Sequence, residues 1–97
     1  YHHMATLIEP SGKTTTVAPK NGKSFSLEEL QGFVHGYIEM LRVSRNGTEM
    51  LIIDEEGKLK NYPLNEVATL KAAGYIRHGD CIVGNALFCT NIEAGDE

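Results

Sequence analysis

The chain has 97 residues, nine of them basic and thirteen acidic, for a formal charge of −4 and a sequence pI near 5.5. A chain of this length makes one domain that buries roughly 60–65% of its unfolded surface, which excludes a multi-domain enzyme with a deep cofactor cleft. No Lys/Arg stripe runs through it, so neither direct nucleic-acid binding nor attraction to an anionic membrane is expected.

Tyr1, His2 and His3 precede Met4 and read as an expression-tag remnant. A single domain is expected over residues 4–92, followed by an acidic, flexible tail over 93–97. Without the tag only His35 and His78 remain as histidines. No apolar run approaches the ~20 residues that span a bilayer, and no signal peptide follows Met4. A cytoplasmic protein is therefore expected.

Residues 5–10 read as a first strand centred on Leu7 and Ile8, and residues 14–17 as its β-branched return. Residues 19–23 form a loop. Ser26 caps a first helix, Glu29 completes a capping box, and Phe25 with Leu30 makes a hydrophobic staple. Leu27, Leu30, Phe33 and Val34 line one side, and Gly36 supplies a left-handed end after about ten residues.

Residues 37–45 then form a strand, Asn46-Gly47 a type I′ turn, and residues 48–54 the return. That turn sets Arg45 opposite Thr48, Val43 opposite Met50, Leu41 opposite Ile52, Met40 opposite Ile53 and Glu39 opposite Asp54. Glu56-Gly57 turns the chain into a short strand at 58–62, which Pro63 ends. Asn65 caps a second helix that uses Val67, Leu70 and Ala73 and stops at Gly74. Residues 81–89 read as an interior strand interrupted at Gly84-Asn85. The order β-β-α-β-β-β-α-β gives an α+β fold: a small, single, twisted, mainly antiparallel sheet with two short helices on one side.

The chain carries no Walker loop, no dinucleotide-binding glycine fingerprint and no metalloprotease His-Glu pair. Cys81 and Cys89 are wrongly spaced for zinc, so no metal and no cofactor are expected. In one extended strand they would stand about 26 Å apart, beyond disulfide reach. His78 and Cys81 could form a catalytic pair, but a thiol at the entrance of a core strand is more simply an inert buried group. His35 reads as a helix-end residue.

Glu39 opposite Asp54 is the most suggestive arrangement, because like charges across a strand pair repel. It calls for a cation, a proton or a partner such as Arg42 or Lys60; a solvated sheet end or a bulge would separate the two instead. Tyr37 and Tyr62 offer aromatic surfaces. Asn61, Asn65 and Asn85 offer amides, Asn65 also as a helix cap and Asn85 at a bulge. The candidate ligand-binding set is therefore Tyr37, Glu39, Asp54, Asn61, Tyr62, Asn65 and Asn85, with no catalytic residue.

Gly36-Tyr37-Ile38-Glu39, Asp54-Glu55-Glu56-Gly57-Lys58-Leu59, Tyr62-Pro63-Leu64-Asn65 and Gly79-Asp80-Cys81-Ile82-Val83-Gly84-Asn85-Ala86 occur in this order. In this the chain resembles, over nearly its whole length, an uncharacterised family of small proteins from phages, plasmids and other mobile elements. It departs from that family at Tyr62, where a leucine often precedes the proline, and at Asn85, where a small Thr or Asp is common.

The resemblance implies an accessory or anti-defence role in the host-cell cytoplasm. The expected function is a non-enzymatic protein that sequesters a small nucleotide-type signalling ligand, a cyclic nucleotide or a cyclic ADP-ribose derivative. The alternatives are an inhibitor of a host nuclease, restriction or defence protein, and a structural or regulatory accessory domain. Self-association into a homo-oligomer through sheet edges would let two copies build a pocket that one cannot enclose.

Overall fold

The computed structural model describes residues 4–95; the expected tag remnant at 1–3 lies outside the described residues. The elements are β1 (Ala5–Ile8), β2 (Thr14–Val17), α1 (Leu27–Val34), β3 (Ile38–Arg42), β4 (Glu49–Asp54), α2 (Glu66–Ala72) and β5 (Ala86–Thr90). They build one five-stranded sheet in the order β2-β1-β5-β4-β3, with every neighbouring pair antiparallel. The α+β antiparallel fold is as expected.

The placement of the helices is not. Met50, Leu51 and Ile52 are consecutive in β4 and all buried. Successive strand residues point to opposite faces, so this run needs cover on both. Met50, Ile52, Leu87 and Cys89 join Leu30 and Val34 of α1 in one cluster. Leu51, Ala86 and the partly buried Ile53 and Phe88 join Ala68 and Ala72 of α2 in the other. The helices therefore lie on opposite faces of the sheet, correcting the one-sided arrangement.

Helix α1 begins as its sequence dictates. Ser26 Oγ accepts from Glu29 N at 3.1 Å while Glu29 Oε1 accepts from Ser26 N at 2.9 Å. Phe25 and Leu30 are buried together, and the Phe25 and Phe33 rings meet edge to face at 5.5 Å. The left-handed end is taken by His35, with φ 67°, rather than by Gly36.

The β3–β4 hairpin differs by one residue from its expected register. Ile38 faces Asp54, Glu39 faces Ile53 and Leu41 faces Leu51. A type I′ turn needs positive φ at both central residues, and here Gly47 has it (φ 73°) but Asn46 does not. Val43 N instead donates to Glu49 O at 2.9 Å, and residues 44–48 form a longer connection. Asn46 Oδ1 organises it, accepting from Ser44 Oγ at 2.8 Å, Thr48 Oγ1 at 2.8 Å and Thr48 N at 3.2 Å. One residue of slip moves every side chain to the other face, which removes the expected Glu39–Asp54 pair.

Three further expectations change. Residues 58–61 form turns in place of the expected strand over 58–62, with Asn61 at φ 56°. Helix α2 buries Ala68 and Ala72, at i and i+4, and leaves Leu70 77% exposed. The expected cap forms, with Asn65 Oδ1 accepting from Ala68 N at 3.1 Å, but the small residues face the sheet in place of Val67, Leu70 and Ala73. Among the described residues the segment before β5 pairs through an isolated Leu64–Val83 bridge; Gly84, at φ +74°, then bends the chain.

Of the expected flexible tail over 93–97, Glu93 and Ala94 are buried, and residues 96–97 lie outside the described residues. Glu93 Oε1 accepts from Thr90 N at 2.9 Å, and Glu93 O accepts from Phe25 N at 2.7 Å, tying this turn to the start of α1.

Candidate functional site

Residues 55–62, which connect β4 to the segment before α2, separate two polar sites. On the α1 side Asp54 ends β4 with its side chain 1% exposed. Its Oδ2 accepts from Lys60 Nζ at 2.7 Å and its Oδ1 from Glu56 N at 2.8 Å. Lys60 Nζ also donates to His35 O at 3.2 Å. Burial alone would raise the Asp54 pKa, but the Lys60 and Glu56 hydrogen bonds outweigh it and hold the carboxyl below its ordinary value. The Asp54 hydrogen bond in turn raises Lys60. Lys60 is thus the partner that Asp54 required.

A side chain at position 36 would force this pair to shift. A Cβ on Gly36 would lie 2.6 Å from Lys60 Nζ and 2.7 Å from Asp54 Oδ2. Gly36 is therefore needed for space, and His35 does the bending.

The α2 side of the same connection forms one wall of a cleft of about 170 Å³. Leu41, Ile53, Ile76 and Ile82 supply apolar walls, and Glu39, Glu55, Lys58, Asp80 and Cys81 the polar lining. Lys58 Nζ donates to Asp80 Oδ1 across it, between side chains 58% and 39% exposed. Cys81 N donates to the same oxygen at 2.8 Å. Asp80 is held below its ordinary pKa by the Lys58 hydrogen bond and then the Cys81 amide. Lys58 is raised, first by Asp80, with Glu39 adding to the field.

The seven candidate residues divide accordingly. Asp54 and Tyr62 lie near Lys60, whose Nζ is 5.7 Å from the centre of the Tyr62 ring. Tyr37, 65% exposed, shares a shallow depression with Gly36, Glu56 and Lys60. Glu39 belongs to the cleft on the other face, which Asp54 also borders although its carboxylate is held by Lys60. Asn61 supplies a left-handed turn residue.

Asn65 and Asn85 bond to the protein's own carbonyls. Asn65 is fully buried, and its Nδ2 donates to Ile8 O at 2.9 Å and Gly84 O at 2.8 Å. Asn85 Nδ2 donates to Phe33 O at 3.0 Å. Both amides join separate parts of the fold.

Lys58 and Asp80 escaped the sequence reading. They stand 22 positions apart and share no motif, and position 58 is expected within a strand. The thiols differ in their surroundings: Cys81 lines the cleft, whereas burial, with a smaller contribution from Glu93, pushes Cys89 up to about 12. Among the described residues no group of three or more His, Cys, Asp or Glu could hold a metal ion, and no helix is long and apolar enough to cross a membrane.

A family model described as Domain of unknown function (DUF3846) matches residues 4–97. No curated protein and no solved structure matches the chain.

Proposed function

The chain belongs to the DUF3846 family, and we propose that it is a non-enzymatic binding domain whose cleft accepts a basic side chain from a partner protein. The observation that carries this reading is the cleft's lining: the carboxylates of Glu39, Glu55 and Asp80 against the single ammonium of Lys58, beside apolar walls. Opposite charge favours a guanidinium or ammonium there, and the apolar walls suit its methylene stem.

Size and sign favour this over the nucleotide reading. Cavities of about 150 Å³ take a benzene-sized group, while sites for drug-sized ligands run to roughly 300–1,000 Å³. A cyclic nucleotide would exceed this cleft and bring phosphate towards carboxylates; a second copy of the chain would have to complete its pocket. In the mobile-element setting implied by the family resemblance, the partner is the basic surface of a host nuclease, restriction or defence subunit. A net charge of −4 suits approach to such a surface.

Titration of isotope-labelled protein with a hexa-arginine peptide, and separately with a panel of cyclic nucleotides and cyclic ADP-ribose derivatives, tests the assignment. The expected result is saturable NMR shifts at Glu39, Lys58 and residues 80–82 with the peptide, weakened by salt and lost in Glu39→Gln/Asp80→Asn. Nucleotide binding without a peptide response would overturn it.

A further inference from the structure

Lys58 occupies the cleft in a way that its backbone does not require. Gly57 N donates to Asp54 O at 3.1 Å, Lys60 N to Glu56 O at 3.1 Å, Asn61 N to Lys58 O at 3.2 Å and Tyr62 N to Gly57 O at 3.3 Å. The Asp54–Lys60 ion pair fastens the same turn from the opposite side of the sheet. The backbone on both sides of position 58 is thus held by hydrogen bonds within the turn and by the Asp54–Lys60 pair. The side chain of Lys58 can move: it is 58% exposed and its charged contact is a surface ion pair, a class of contact that holds only weakly in water.

We propose that Lys58 is an internal competitor for the cleft, its ammonium holding at Asp80 the place that a ligand's basic group takes. The inference rests on the reading of the cleft as a cation-accepting site. Its chemistry is an exchange of one cation for another at the same carboxylate, in which no covalent bond changes. With Lys58 in place a neutral group is disfavoured, because nothing offsets the separation of Lys58 from Asp80, though for an exposed pair that cost is modest. A ligand ammonium or guanidinium restores the ion pair as it displaces Lys58. The resident side chain thus sets specificity for charge and lowers apparent affinity by the fraction of molecules in which it is seated.

Binding of the hexa-arginine peptide to the wild type, Lys58→Met and Lys23→Met, measured by calorimetry at 0.15 M salt, separates this from a general charge effect. Lys23 is exposed in the loop before α1, and its substitution changes the net charge by the same amount. Lys58→Met is expected to bind about three- to ten-fold more tightly than the wild type, and Lys23→Met within about two-fold of it. Equal gains in the two variants, no gain, or weaker binding by Lys58→Met overturns the competitor role and leaves the cleft reading intact. Absence of peptide binding by wild type and variants alike overturns the cleft reading and the competitor with it. Thermal unfolding of each variant confirms that the folded proteins are being compared.

Discussion

Gly36 gives the Asp54 carboxylate the space in which to meet Lys60: the Cβ that residue 36 lacks would stand 2.7 Å from Asp54 Oδ2 and 2.6 Å from Lys60 Nζ. Gly36→Ala is therefore expected to destabilise the fold by about 1–3 kcal/mol, as overpacking does. In a Lys60→Met background the same change should cost less, because one of the two obstructing groups has gone. Urea unfolding of the four proteins measures the coupling, expected at about 0.5 kcal/mol or more.

Acid should weaken this junction. The Asp54 pKa is lowered from 3.8 in spite of burial, by its bonds from Lys60 and Glu56. A depressed carboxyl contributes stability above its unfolded pKa and loses it as pH falls through the lower folded value. Asp80, also lowered, adds to the loss in the same direction. Lys58 and Lys60 are raised from 10.5, so their contribution holds below that value and fades as pH rises through their folded pKa values. Unfolding midpoints between pH 2 and 7 should fall below about pH 4, and Asp54→Asn should flatten that fall.

Asn65 should be costly to replace. Asn65→Ala loses the cap of α2 and leaves Ile8 O and Gly84 O without their amide donor. A loss of about 2–3 kcal/mol is expected from chemical denaturation. Asn65→Asp keeps an acceptor for Ala68 N but turns a carboxylate towards two carbonyls, and should be at least as harmful.

The two thiols should separate by reactivity. Cys89 is buried and pushed up to about 12, so it should resist a thiol reagent at pH 8 in the folded protein. Cys81 lines the cleft and should react. Mass spectrometry is expected to find one labelled cysteine before unfolding and two after it.

Local signals in the sequence were legible where one residue controls its own neighbourhood. Ser26 and Glu29 mark the start of α1, and Asn65 marks that of α2, because capping is settled within four positions. The β3–β4 register was not, since Asn46 closes its connection through side-chain bonds instead of a positive φ. The Asn46-Gly47 turn identified β4 as a returning strand, yet only burial on both of its faces places the helices on opposite sides. A partner for Asp54 was expected because Glu39 was placed opposite it; Lys60, one of the two candidate partners, does pair with Asp54, but the neighbour across the strand is Ile38. The Lys58–Asp80 pair depends on two turns meeting in space, and neither turn encodes the other.

The sheet order has a consequence for synthesis on the ribosome. β1 lies between β2 and β5, with Thr6 aligned to Phe88. The amino-terminal hairpin can form early from local pairing, but its outer edge has no native neighbour until the last strand emerges. Such distant pairing slows folding, and an unpaired edge invites association between nascent chains while it lasts. On its other side the hairpin ends in β2, a short, threonine-rich edge strand that is a poor template for such association.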